Sequence, residues 1–237
     1  MGVKAVHTAG AENGPILSTT QKRLAPVLIR EVTRRIALQG VYQAAVYTAA
    51  TPLPGMVSST RYLNRPLRPD RLPLLARHGY LPRGIPSNPR FYQLPRRPNP
   101  GFRPMAEEDV PGALEALRAH LASPALAPEL AEADLRHWHR GIHCFVRESV
   151  GRITGFASFL SLEGPDGLRI ALEFYGTGCC DEDVLTAARD TGHDVYTCLE
   201  RGRPRPRFGP GGPLHYYLYN YRLRDALRPE DVALAFV

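Results

Sequence analysis

With 237 residues, 43% of them hydrophobic, the chain is long enough for one large domain or two small ones and apolar enough to bury a core, which excludes wholesale disorder. No apolar run approaches the roughly 18 residues that a membrane span needs, and the first twenty residues lack the basic-then-apolar order of a secretory signal, so a soluble, cytoplasmic chain is expected. Net charge is +7, but 28 Arg against two Lys (Lys4 and Lys22), scattered apart from "RGRPRPR" at 201 to 207, points to GC-rich coding as much as to phosphate contacts.

Residues 1–20 show no periodicity and read as a flexible leader. From Pro26, Leu28, Val32 and Ile36 recur at helical spacing, and Gly40 suits the stop. "VYQAAVYTA" predicts a buried strand. The proline-rich stretch 51–90 predicts mostly loop with short strands, and "RFYQLP" (90–95) another short strand. In "EEDVPGALEALRAHL", Asp109 is the expected N-cap, with Leu114, Leu117 and Leu121 on one face, and a second helix is expected over 129–138. Strands at "HCFVRE", "ITGFASFLSL" and "LRIALEFYG" precede a helix over 181–190 and a strand at "HDVYTCL"; "LHYYLYNYR" and "DVALAFV" close the chain as strands. Interleaved helices and strands imply one layered α/β sheet.

Among chemistry-bearing groups, "GPGG" (209–212) lacks the lysine and hydroxyl of a P-loop and opens no helix, so it reads as a tight turn into a strand. In the run after it Tyr217, Tyr219 and Tyr221 share one face while Tyr216, Leu218 and Asn220 share the other. That pattern fits a strand buried on both sides better than an exposed base-stacking platform. His137, His139, His143 and Cys144 have the composition of a zinc site, but the segment leaves its helix near Gly141 and no second cluster follows, so no metal is expected. The four cysteines (Cys144, Cys179, Cys180, Cys198) read as reduced thiols. The last segment stays apolar to the end, which predicts that it docks and carries the α-carboxylate of Val237 into or beside the interior.

Taken in order, "KRLAPVLIREVTRRI", "QAAVYTA", "RYLNRPLRP", "FYQLP", "GFRPMAEEDVP", "HW" and "RFGPGGPLHYYLYNYR" resemble the C-terminal half of eukaryotic glycylpeptide N-tetradecanoyltransferases (N-myristoyltransferases), the tyrosine-rich stretch being most like plant or green-algal members. The resemblance covers residues 21–237 and implies a mixed α/β (α+β) fold. That fold is an acyl-CoA N-acyltransferase-like (GNAT-like) half, with a central mixed sheet flanked by helices. It implies transfer of myristate from myristoyl-CoA, a co-substrate rather than a bound cofactor, to the N-terminal glycine of a protein or peptide. The terminal carboxylate of Val237 would be the general base. "QKRLA" then supplies CoA contacts from Lys22, Arg23, Leu24 and Ala25, and the peptide is expected at Thr48, Ala50, Tyr62, Asn64, Glu173 and Phe236.

Several positions depart from that family. Ala50 stands for a glycine, Asn64 for a histidine and Glu173 for a serine; the glycine turn is one residue shorter and lacks an aspartate; Val46 looks inserted. The strand whose backbone N–H groups form the family's oxyanion hole should lie just before "QKRLA", where the leader stands, so a copy missing its acyl-CoA half is expected. A non-catalytic peptide-binding remnant is the second expectation, and an Arg/Tyr-rich nucleic-acid binder the third, although nucleic acid is not the expected partner.

Overall fold

The computed structural model describes residues 24–40, 45–50, 52, 54–81, 88–202, 205–219 and 223–235. Among the described residues five α-helices, α1 (Leu24–Leu38), α2 (Leu72–Arg77), α3 (Val110–Leu121), α4 (Glu132–Gly141) and α5 (Asp181–Asp190), accompany eight strands. The strands are β1 (Ala45–Ala49), β2 (Met56–Pro66), β3 (Phe102–Pro104), β4 (His143–Ser149), β5 (Arg152–Glu163), β6 (Arg169–Thr177), β7 (Val195–Leu199) and β8 (Gly209–Tyr219). They form a single sheet in the order β1-β8-β2-β7-β6-β5-β4-β3. Only β6 and β7 run parallel, because α5 carries the chain over the sheet between them; every other neighbour is antiparallel. The mixed α/β sheet is therefore as expected.

Strand alternation gives the sheet two buried faces. Cys144, Val146 and Phe156 join Leu114, Leu117 and Leu135 under α3 and α4. Phe145, Ala157, Phe159, Ala171, Tyr196 and Cys198 face the other way, against Val184, Leu185 and Ala188 of α5. Two close approaches shape the middle. Gly178 has φ +66°, and a Cβ there would lie 2.2 Å from the Thr154 carbonyl oxygen. Farther along, the β5/β6 register shifts between Ala157 and Phe159, so Phe174 and Tyr175 both reach the α3/α4 side. Ser158 fills the gap in the ladder: its hydroxyl donates to the Tyr175 carbonyl and accepts from the Tyr175 N–H, both at 3.1 Å.

Several expectations about local structure are corrected. Residues 51–90 hold an 11-residue central strand and a helix rather than mostly loop. Prolines at both flanks and the buried polar Ser58, Asn64 and Arg65 hide the apolar rhythm of β2. "RFYQLP" is a 3-10 turn over Pro89–Tyr92, because the Asn88 side chain accepts the Arg90 N–H at 3.0 Å and curls the chain. The "GPGG" segment is the beginning of β8, with Gly209 paired to Asn64 and Pro210 to Leu63, and the turn lies before it, where Arg207 has φ +67°. The second helix begins at Glu132, where Asp134 accepts the Ala131 N–H at 2.7 Å. The described part of the terminal segment, to Ala235, is docked but forms no strand; a parallel bridge joins Val232 to Leu126. β1, which contains Val46, pairs with β8 in continuous register from Ala45 to Ala49.

Asp109 does not cap α3 with its side chain. It accepts the Ala106 N–H at 2.7 Å and a two-pronged contact from Arg103 at 2.6 and 2.9 Å. Arg103 holds the Asp109 carboxyl below the usual carboxylate range, the guanidinium hydrogen bonds being the largest cause. A lowered folded-state pKa adds stability that is complete above the unfolded value of about 4 and disappears as pH falls through the folded value. Asp109→Asn is accordingly expected to lower stability at neutral pH, with the gap to the parent closing in acid. Urea titrations at a series of pH values check this; a gap that stays constant below about pH 4 contradicts it.

Candidate functional site

The terminal segment is the part of the chain that most needs explaining. Val232, Ala233, Leu234 and Ala235 are each at most 4% exposed, and they alternate between two clusters on the α3/α4 side. Val232 and Leu234 pack with Tyr62, Leu214 and Tyr216. Ala233 and Ala235 pack with Trp138 and Tyr175. Two tyrosines fix the strap by its backbone: the Tyr216 hydroxyl donates to the Leu234 carbonyl at 3.3 Å, and the Ala235 N–H donates to the Tyr175 hydroxyl at 3.3 Å. Trp138 stacks on Tyr175, with ring centroids 5.4 Å apart, and holds that phenol in place.

Around the strap the sheet gathers part of the expected peptide site. Thr48 pairs with Tyr216 across β1 and β8 and shares its face. Tyr62 is half-buried in the same cluster, and burial pushes its phenol up, as it does those of Tyr175 and Tyr216. Tyr62 and Tyr175 are both within electrostatic reach of Tyr216, and Arg201 places positive charge near the last two. Asn64 is buried on β2, its Oδ1 accepting from the Thr197 hydroxyl at 2.9 Å. A Cβ at Gly211 would sit 2.9 Å from Asn64 Nδ2 and 3.2 Å from the Tyr62 carbonyl oxygen. This glycine thus serves a close strand approach rather than a turn.

Glu173 departs from the expected grouping. It lies on the α5 side of β6, opposite Phe159, in a cleft of about 40 Å³ with Tyr196, Asp181 and Phe208. There Arg205 clasps it with two hydrogen bonds, at 2.8 and 3.2 Å. Ala50 sits in an exposed bend just beyond β1. Leu24 and Ala25 open α1, whereas Lys22, Arg23, Phe236 and Val237 lie outside the described residues. Sequence reasoning missed Tyr175, Tyr216, Trp138 and Arg205 as the groups that hold these elements. The alternation around Tyr216 was the one usable signal for them.

The alternatives weighed from sequence also meet the structure. Tyr216 and Tyr217 are each 1% exposed, so neither can stack a base. His139 belongs to α4 and His143 to β4, and no group of three or more potential ligands gathers among the described residues. No described helix is long and apolar enough to cross a membrane. All four cysteines are free thiols.

Sequence models of two domains match the chain: "Myristoyl-CoA:protein N-myristoyltransferase, N-terminal domain" over residues 18–60 and the C-terminal domain of the same family over residues 85–165. Glycylpeptide N-tetradecanoyltransferase 1 of Arabidopsis thaliana is 34% identical over 91% of this chain and 56% of its own length. The glycylpeptide N-tetradecanoyltransferase of Drosophila melanogaster is 35% identical over 90% of this chain and 50% of its own length. Among solved structures, Saccharomyces cerevisiae N-myristoyltransferase with bound myristoyl-CoA superimposes with a TM-score of 0.76 at 25% identity, covering 93% of this chain and 63% of that one. The chain thus spans about half the length of the curated relatives it matches.

Proposed function

Because the chain belongs to the N-myristoyltransferase family, we propose that residues 21–237 supply the glycylpeptide side of myristoyl transfer, from myristoyl-CoA to the N-terminal glycine of a protein. The observation that carries this reading is the docked terminal strap. Tyr175 and Tyr216 hold its backbone to within two residues of Val237, on the face that also bears Thr48 and Tyr62. The Val237 carboxylate would accept a proton from the glycine ammonium; Phe236 and Asn64 would border the peptide, and Lys22, Arg23, Leu24 and Ala25 the CoA. No resident cofactor or metal takes part in this chemistry. Four free thiols fit a reducing compartment, and we place the protein in the cytoplasm.

The test compares an N-terminal-glycine peptide with its N-acetylated twin, first for binding and then for acylation by myristoyl-CoA. The free-amine peptide is expected to bind more tightly and to be the one acylated. Equal affinity for the two peptides overturns the reading. Amine-selective binding without transfer would instead mark a peptide-binding unit.

A further inference from the structure

On the α5 side of the sheet, away from the strap, Ser161 lies between two imidazoles. Its Oγ is 2.7 Å from His193 Nε2 and 3.0 Å from His143 Nε2. We propose that Ser161 is an activated nucleophile, a second site at which this chain accepts an acyl group from an activated ester or thioester.

The hydrogen bonds assign the protons. His193 Nδ1 is 3.1 Å from the Ala188 carbonyl, which can only accept, so Nδ1 carries the proton. Thr191 donates its hydroxyl proton to the Ala187 and Ala188 carbonyls and takes a share of the same Nδ1–H at 3.0 Å. The Nε2 lone pair of neutral His193 therefore faces Ser161 and receives its O–H. With that proton committed, the contact from His143 must be an Nε2–H donated to Ser161 Oγ, which favours negative charge on the oxygen. Both rings are fixed in place: His143 stacks on Phe159 at 5.0 Å, and His193 is fully buried and edge-on to His143 at 5.5 Å. Ser161 itself is exposed.

The local charge keeps the base unprotonated. Burial, then the nearby Arg169 of β6 and His143 of β4, push the His193 pKa down, against the opposing pull of the Ala188 carbonyl and Asp194. His143 is also pushed down, by burial and then by Arg169. A serine with a positioned neutral histidine and a carbonyl behind it has the elements of an acyl-accepting pair. In the step itself the Oγ–H proton moves to His193 Nε2, the Oγ–C bond forms, and the carbonyl carbon's bond to the leaving aryloxide or thiolate breaks. The products are acyl-Ser161, the leaving anion and an imidazolium that returns its proton to water.

The experiment uses 4-nitrophenyl acetate with the full chain. Aryloxide release on the order of 10²-fold faster than from Ser161→Ala is expected, the range of a positioned general base. The acetyl group should map to the Ser161 peptide by mass spectrometry. The rate should rise with pH through a midpoint below the ordinary histidine value of about 6.5. Ser161→Ala removes one exposed hydroxyl, so its melting temperature serves as the folding control. Equal rates from parent and Ser161→Ala, or acetyl groups found only on other residues, overturn the proposal. So does a rate that ignores pH from about 5 to 7, because a purely structural Ser161–His193 contact gives that result.

Discussion

Glu173→Ala is expected to destabilise the fold by about 3–5 kcal/mol, the cost of stranding a buried charge whose partner has been removed. The side chains of Glu173 and Arg205 are 12% and 16% exposed, and the contact is two-pronged. Burial works most strongly against the Arg205 charge, but Glu173, Cys198, Tyr196 and Asp181 together outweigh it and push the guanidinium well above its ordinary value. The nearest other anion, Asp181, is 4.0 Å away and is a poor substitute. The Phe208 ring, 5.6 Å from the guanidinium carbon, offers only a weak cation–π contact. Glu173→Ser, the residue that the family resemblance implies here, should fail nearly as badly, because a hydroxyl brings no charge. Glu173→Ala with Arg205→Met should recover most of the loss, since removing both partners leaves no orphan. Urea denaturation of the four proteins decides the matter. A single-variant loss below about 1 kcal/mol, as for an ordinary surface pair, sinks the argument.

That ion pair also marks where the sequence was hard to read. The substitution of Glu173 for serine was visible, but its partner lies 32 residues away in an arginine-rich stretch that resembles a solvated loop. Long-range pairing of charges leaves no periodic trace. The helices other than α2 behaved differently. α5 fell on its predicted span because an acidic first turn and a C-terminal glycine bracket a regular apolar face. β2 was missed because a strand flanked by two others can carry buried Asn64 and Arg65, provided its backbone is paired. "DVALAFV" was read correctly as docked and incorrectly as a strand. Its alternation is real, yet it arises from a strap laid between two clusters rather than from a ladder. The site was legible to the same extent. Thr48 and Tyr62 share one face across β8, which lies between their strands, whereas the bulge that adds Tyr175 to that face depends on the Ser158 hydroxyl, which no local pattern announces.

Amidating Val237, or extending the chain by one residue, is expected to remove most of the proposed transfer while leaving the fold intact. The reasoning starts from proton affinity. A glycine ammonium has a pKa of about 8 and a solvated α-carboxyl one of about 3.5, so a carboxylate in water is a weaker base by roughly 5–6 kcal/mol. Apolar surroundings like those of the buried Val232 and Leu234 would disfavour the charged form of that carboxylate and narrow the gap. A positioned general base contributes a factor on the order of 10²–10⁴, so amidation should cut acylation by about that much. The same change removes the negative partner of the glycine ammonium, and the preference for free-amine over acetylated peptide should vanish with it. This second readout does not depend on turnover, and melting temperature controls for the fold. An amidated protein that still prefers the free amine, and acylates it at the parent rate, would place the base elsewhere. Tyr216→Phe gives an intermediate case: it removes the hydroxyl that holds the Leu234 carbonyl, keeps the carboxylate, and should lower acylation by less than amidation does.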